Sequence, residues 1–139
     1  MRAKVLKIVP TGVTSAAVTA LLLYFSLSPR PVGAEMALFF PGADKAVHFI
    51  MYLGVTGVYL LDHTRREHPR RAALRAAALI TLGAVALGGL LEIAQGLTGR
   101  RTSDILDFAA NSAGCLAALA AVRLWLGPAF SKFITRNNR

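Results

Sequence analysis

The sequence contains four long apolar runs, and each is nearly free of charged residues. The first, Ile8 to Leu27, has 20 consecutive uncharged residues, about the length that crosses a hydrocarbon core of roughly 30 Å. The others are Ala46 to Leu61, Ala76 to Gly99 and Ile105 to Leu126. Because backbone polar groups must be paired inside a segment that crosses lipid, we expect each run to form a helix.

These runs predict an all-α protein, an integral membrane bundle of four transmembrane helices. A mean hydropathy of +0.52 agrees, since a soluble domain of this size needs more polar surface. The expected helices cover approximately residues 6–28, 44–62, 73–98 and 103–126 of a single domain, 1–139.

Two alternatives stay open for the first two runs. The first run follows basic residues and precedes a "VGA" sequence that ends at Ala34, so a cleaved signal peptide is conceivable. Its apolar stretch exceeds the roughly 7–15 residues of a signal core, which favours a retained helix. The second run is the shortest and also suits an interfacial or tilted helix, unless it starts near Ala43, after a break at Pro41 and Gly42.

Basic residues are distributed unevenly around the runs. The formal net charge is +9, and 12 of the 16 Lys and Arg residues precede the first run, separate the second from the third, or follow or end the fourth. Such an excess marks the cytoplasmic side of a membrane, so a multi-pass protein with cytoplasmic N- and C-termini is predicted. The charge has no aromatic–basic interleaving, so membrane lipids, and not nucleic acid, are the expected partners.

With this topology, the unusual polar residues of the last three helices fall at their outer ends. They occur three or four residues apart, which places them on one face of each helix. Polar groups facing acyl chains would cost about a few kcal/mol each, so we expect these faces to meet or to line a wet cavity. The residues are Asp44, Lys45, His48 and Tyr52, then Glu92 and Gln95, then Arg101, Asp104, Asp107 and Asn111.

Other positions are expected to be structural. The small pairs Ala84 with Gly88 and Gly114 with Ala118 would allow close helix approach. The single cysteine, Cys115, cannot form an intrachain disulfide and is expected to pack as a small residue. Further expectations are an N-cap for the fourth helix from Thr102 or Ser103, and a solvated inner loop containing Asp62, His63, Glu67 and His68.

Three blocks stand out: "DKAVHFIMY" (Asp44 to Tyr52), "EIAQ" (Glu92 to Gln95) and "RTSDILDFAANSAG" (Arg101 to Gly114), preceded by "SLSP" (Ser26 to Pro29). Together they resemble the signature blocks of the VanZ-like family, in the same order. The resemblance implies a small bacterial protein of the cytoplasmic (inner) membrane, and no particular reaction. Because the founding member is associated with resistance to the glycopeptide antibiotic teicoplanin, antibiotic resistance or cell-envelope homeostasis is the implied context.

Three functions are compatible with the polar faces. A binding protein, the favoured hypothesis, would hold a lipid headgroup or a lipid-linked cell-envelope precursor, with Lys45 and Arg101 contacting an anionic group. An enzyme would use His48 and Glu92 as proton carriers on an envelope lipid. A structural or partner protein would use the same residues only to fix helix packing.

The same cluster contains residue types that can bind a metal ion. His48, Glu92, Asp104 and Asp107 offer nitrogen and oxygen donors. Because lysine and arginine residues nearby already supply positive charge, no metal and no other cofactor is predicted.

Overall fold

The computed structural model describes residues 10, 12–28, 40–64, 70–98 and 104–136, with side chains for all of these except 70, 71 and 126–136. In these ranges it contains four helices and no strands, so the predicted all-α class is confirmed. The helices are α1 (Val13–Leu27), α2 (Ala43–Thr64), α3 (Arg70–Leu97) and α4 (Ile105–Arg136). Helix α4 continues past its predicted end at 126, and residues 6–9 and 11 of the predicted first helix lie outside the described residues.

Two of the four helices are long and apolar enough to cross a membrane, through Ala72–Leu97 and Ile105–Trp125. Helix α1 is apolar but has 15 residues. Helix α2 has 22 residues, but Asp44 in its first turn and His63 in its last shorten its apolar stretch. Length and composition therefore support two membrane-spanning helices, and the predicted four-span bundle is not confirmed.

The start of α2 follows the predicted break. Gly42 has φ +86°, a left-handed conformation that glycine adopts without steric cost. Helix α2 begins at the next residue, and the amide of Ala46 donates to the carbonyl of Gly42. The chain therefore enters α2 with Asp44 and Lys45 in the first turn.

Helix α2 packs against each of the other three helices, most extensively against α4. The buried apolar cluster between the helices consists of Leu22, Tyr52, Val55, Ala84, Leu91 and Cys115. Many large apolar side chains instead point outward, among them Leu79, Leu82, Leu90, Leu97 and Trp125. An apolar exterior around small and polar interior contacts is the arrangement expected of helices surrounded by lipid.

Helices α2 and α4 approach closely at Gly114. A Cβ atom at this position would lie 2.4 Å from the carbonyl oxygen of Phe49 and 3.0 Å from the amide nitrogen of Leu53. Gly88 of α3 is similarly close to the ring of Tyr52, since a Cβ there would lie 3.1 Å from Cε1. These glycines permit the approach that the spacing of small residues predicted, and they bring the polar ends of three helices together.

Candidate functional site

Seven polar side chains meet where α2 and α4 begin and α3 ends. We call them the polar site. They form two layers that share one residue, Asp107. The lysine layer contains Asp44, Lys45, Asp104 and Asp107. The histidine layer contains His48, Glu92, Asp107 and Asn111.

In the lysine layer, one ammonium group contacts three carboxylates. Lys45 Nζ donates to Asp44 Oδ2 at 2.9 Å, to Asp104 Oδ2 at 2.9 Å and to Asp107 Oδ1 at 3.0 Å. A lysine ammonium has three N–H donors, so these contacts use all of them. Asp44, Lys45 and Asp104 are each about one-third exposed, whereas Asp107 is buried, so this layer forms the rim of the site.

Asp104 has a second role as the N-cap of α4. Its Oδ1 accepts a hydrogen bond from the amide of Leu106 at 2.8 Å, while Oδ2 binds Lys45. The cap was expected from Thr102 or Ser103, both outside the described residues. Because α4 begins at Ile105, the residue just before it supplies the cap. The Lys45 ammonium, with the Leu106 amide, lowers the pKa of the Asp104 carboxyl below the ordinary value of 3.8.

This lowered pKa predicts a pH dependence of stability with a definite sign. The stabilisation is complete above 3.8, the value taken for unfolded aspartate, and is lost as the pH falls towards the lower folded pKa. We expect the unfolding temperature in detergent to fall as the pH drops below about 4, and to fall less in Asp104→Asn. Equal pH dependence in the two proteins would show that the ion pair contributes nothing to stability.

The histidine layer lies beneath the rim and is almost fully buried. His48, Glu92 and Asp107 are each 5% exposed, and Asn111 is 1% exposed. His48 Nδ1 lies 2.9 Å from Asn111 Oδ1, and Asn111 Nδ2 donates to Glu92 Oε1 at 3.4 Å. Since the Asn111 oxygen can only accept, His48 Nδ1 is the donor of this bond.

Asp107 connects the two layers through its two oxygens. Oδ1 accepts from Lys45, and Oδ2 lies 3.7 Å from His48 Nε2. Glu92 Oε1 lies 3.6 Å from the other ring nitrogen, His48 Nδ1. Each ring nitrogen thus has a carboxylate from a different helix within 4 Å. An imidazole in this position can exchange protons, accept hydrogen bonds or coordinate a cation.

The other predicted site residues lie near this cluster or outside the described residues. Gln95 donates from Nε2 to the carbonyl of Ser26 at 2.7 Å, which satisfies one of the last carbonyls of α1. The ring of Tyr52 packs beside Gly88, and its buried hydroxyl has no hydrogen-bond partner among the described residues. Arg101, the predicted contact for an anion, lies outside the described residues, as does Arg100.

Comparison with known proteins identifies the family. The sequence matches the family described as VanZ/LLP1 over residues 3–126, which is most of the chain. The chain belongs to this family. With the apolar helices α3 and α4, this confirms a VanZ-like membrane protein. Neither the curated proteins nor the solved structures compared with it gave a match.

In this VanZ-like protein, direct contacts join the blocks that carry the resemblance. The first block opens α2, the second closes α3 and the third precedes and opens α4. Lys45 and His48 of the first block contact Asp107 and Asn111 of the third, and Asn111 contacts Glu92 of the second. The "SLSP" block joins them through the bond between Ser26 and Gln95. Four segments distant in sequence thus form one connected polar assembly.

A second polar contact, at the opposite end of α2, joins this helix to α1 and was not predicted from the sequence. Asp62 is 6% exposed, so the expectation of a solvated position was wrong. Its Oδ2 accepts from the amide of Gly12 at 2.6 Å and from the hydroxyl of Ser15 at 2.8 Å. One turn away, the hydroxyls of Thr19 and Tyr59 lie 2.5 Å apart. The spacing of Ser15 with Thr19 and of Tyr59 with Asp62 was the available signal, since each pair shares a helix face.

Replacing Asp62 by asparagine should destabilise the pairing of α1 with α2. The neutral amide accepts more weakly than a carboxylate, so we expect a loss of about 1–3 kcal/mol in the free energy of unfolding. Thermal or denaturant unfolding in detergent measures it. Thr64→Val is a suitable control, because the Thr64 hydroxyl donates to Leu61 of its own helix on an exposed face and bonds to no other described helix. It should change stability by less than about 0.5 kcal/mol. An Asp62→Asn protein as stable as the control would contradict a role in joining the helices.

Proposed function

We propose that this VanZ-like protein crosses the bacterial cytoplasmic membrane four times, with both termini in the cytoplasm, and that the polar site binds the headgroup of an envelope lipid at the outer surface. The arrangement of helix ends supports this topology. The polar site joins the starts of α2 and α4 to the end of α3. Asp62 joins the end of α2 to the start of α1. Successive helices therefore run in opposite directions, as consecutive membrane crossings must, and four such crossings would leave both termini on one side.

The convergence of seven polar side chains from three helices carries the proposal of headgroup binding. Such groups are costly at membrane depth and usually mark a site that handles polar molecules. The lysine layer is partly exposed, while the histidine layer is buried. A headgroup could therefore contact the lysine layer from the membrane surface.

The composition of the site favours one headgroup chemistry. Its described residues include four carboxyl groups, Asp44, Glu92, Asp104 and Asp107, and one ammonium group. Because the three donors of Lys45 are already bonded, the available atoms are mainly hydrogen-bond acceptors. Acceptors of this kind suit the hydroxyl groups of a sugar or the ammonium group of an amine. A lipid-linked cell-envelope precursor that carries a sugar is therefore the favoured ligand.

Binding to the purified protein in lipid nanodiscs tests this proposal. A labelled precursor lipid should bind saturably, and the same lipid without its sugar should bind less. Asp104→Asn should weaken binding about tenfold, since a hydrogen bond to a charged group is stronger than one to a neutral amide. Arg75→Gln, an exposed position on α3, is the control and should bind like the wild type. Absence of saturable binding, or equal affinity for the sugar-free lipid, would reject the proposal.

The same variants extend the test to antibiotic resistance. If headgroup binding underlies a role in glycopeptide resistance, the wild-type protein should reduce the teicoplanin susceptibility of a susceptible bacterial host. The Asp104→Asn variant, at equal abundance in the membrane, should reduce the teicoplanin susceptibility less than the wild-type protein does. Chemical conversion of the bound lipid, lost in His48→Gln, would instead support the predicted acid–base enzyme.

A purely structural role is the second candidate function. It is favoured by the contacts of Lys45, which link α2 to Asp104 and Asp107 and leave its ammonium group no free donor. In that case substitutions in the lysine layer should lower thermal stability and the cellular phenotype together. Normal stability with lost binding would reject it.

A further inference from the structure

Two acceptor atoms of the histidine layer, one from His48 and one from Asp107, lie close together without a hydrogen bond between them. In the tautomer that donates from Nδ1 to Asn111, His48 Nε2 presents its lone pair. It faces Asp107 Oδ2, also an acceptor, at 3.7 Å. At this distance the two atoms are too far apart for an N–H···O hydrogen bond, which measures about 2.7–3.2 Å. A cation between the two atoms would be attracted to both.

The spacing agrees with a shared metal ion. Nitrogen and oxygen ligands lie about 2.0–2.2 Å from zinc, so two ligands of a tetrahedral ion are roughly 3.4 Å apart. One donor atom each from His48, Glu92 and Asp107 lies within 4.8 Å of the other two. A contraction of a few tenths of an ångström at His48 and Asp107, with a larger one at Glu92, would close the site around an ion.

The surroundings of His48 also resemble those of metal-binding histidines. Such residues usually donate their other ring N–H to a fixed acceptor, which sets the tautomer and the orientation of the ring. Asn111 has this role here, and it is itself held by Glu92. The free Nε2 is the atom that would coordinate.

We propose that His48, Glu92 and Asp107 bind a divalent metal ion of the Zn²⁺ or Mn²⁺ type. One imidazole nitrogen and two carboxylate oxygens form a donor set that these ions accept. The proposal is independent of headgroup binding, since it concerns the ion alone.

The contacts of Lys45 favour the histidine layer over the lysine layer as the metal site. Asp44, Asp104 and Asp107 also bring three carboxylate oxygens together, but Lys45 Nζ already bonds to all three residues. Positive charge near the cluster was the reason for predicting no metal. Among the described residues that charge is Lys45. Lys45 contacts Oδ1 of Asp107, whereas Oδ2 of Asp107 lies near His48.

Tyr52 gives independent support for a polar occupant. It lies one turn from His48 on α2, is 1% exposed and packs with Asn111 around Gly88. Its hydroxyl has no hydrogen-bond partner among the described residues. A buried hydroxyl usually finds a partner, and a water molecule bound to the ion would supply one.

Metal analysis of the purified full-length protein tests the proposal. The protein is prepared with an affinity tag that lacks histidine, stripped with a chelator, and dialysed against Zn²⁺ or Mn²⁺. We expect about one ion per folded chain and a higher unfolding temperature with the ion present, because a ligand of the native state stabilises it. With Co²⁺ as a probe, visible absorption bands should report nitrogen coordination and should be lost in His48→Gln.

Matched variants locate the ion. His48→Gln and Asp107→Asn should lose binding, and Asn111→Ser should weaken it about 10–100-fold, as expected of a residue that orients a ligand. Asp104→Asn, which belongs to the other carboxylate group, should keep it. A folded, monodisperse wild-type protein that binds no ion would overturn the proposal without any variant. Unchanged binding in His48→Gln would overturn the assignment of the ligands.

Discussion

Replacing Gly114 with alanine is expected to separate α2 from α4 and to destabilise the protein by about 3 kcal/mol. The new Cβ would lie 2.4 Å from the carbonyl oxygen of Phe49, well inside the normal contact distance. That oxygen belongs to the backbone of α2, so no side-chain rotation can relieve the clash. Overpacking of this kind usually costs about 1–3 kcal/mol, and a fixed backbone partner places the expected cost at the upper end.

The loss should extend to the polar site, because the same two helices hold it. Moving α2 away from α4 would lengthen the bonds from Lys45 to Asp107 and from His48 to Asn111. We therefore expect Gly114→Ala to lower the unfolding temperature in detergent and to abolish metal binding by the protein that remains folded.

Gly54→Ala is the matched control. Gly54 lies within α2, and a Cβ there would meet no atom within 4 Å. Because alanine favours a helix over glycine by about 1 kcal/mol, this variant should be as stable as the wild type or slightly more so. If Gly114→Ala and Gly54→Ala unfold at the same temperature, the close approach of α2 and α4 is not required for stability.

Sequence alone predicted the features of the fold that depend on local chemistry. Long apolar runs require helices, and Gly42 after a proline indicates where α2 begins. The number of membrane-spanning helices was harder to predict from the sequence. Helix α2 carries polar groups near both ends, so its apolar length falls between that of a buried helix and that of a span. Hydropathy alone does not separate these cases.

The convergence of the polar residues could also be predicted, whereas their pairing could not. Spacing by three and four places Asp104, Asp107 and Asn111 on one face of a helix, and alternating helix directions place that face beside His48. Which atoms then pair depends on ångström-scale distances between helices. Lys45 was expected to contact an anionic ligand, but its ammonium group contacts three carboxylates of the chain itself. The contact of Asp62 with α1 was missed because charges among arginines resemble a solvated loop.

Replacing Lys45 with methionine is expected to have the second largest effect, a loss of about 2–4 kcal/mol in the free energy of unfolding. The substitution keeps the length of the side chain and removes its charge. Asp107, which is 5% exposed, would then hold a buried carboxylate without its cation, and such unpaired charges are strongly destabilising. Asp44 is about one-third exposed and is partly solvated, so it should contribute little.

A second substitution separates the buried pair from the exposed one. Asp107→Asn in the Lys45→Met background removes the uncompensated charge, so the double variant should recover part of the lost stability. Asp44→Asn in the same background is the control and should recover less, because water already solvates that carboxylate. Denaturant unfolding of the single and double variants at pH 7 gives the coupling energy of each pair. If the two second substitutions recover equal stability, the burial of Asp107 is not the reason that Lys45 stabilises the protein. The contacts of Lys45 would then be ordinary surface ion pairs.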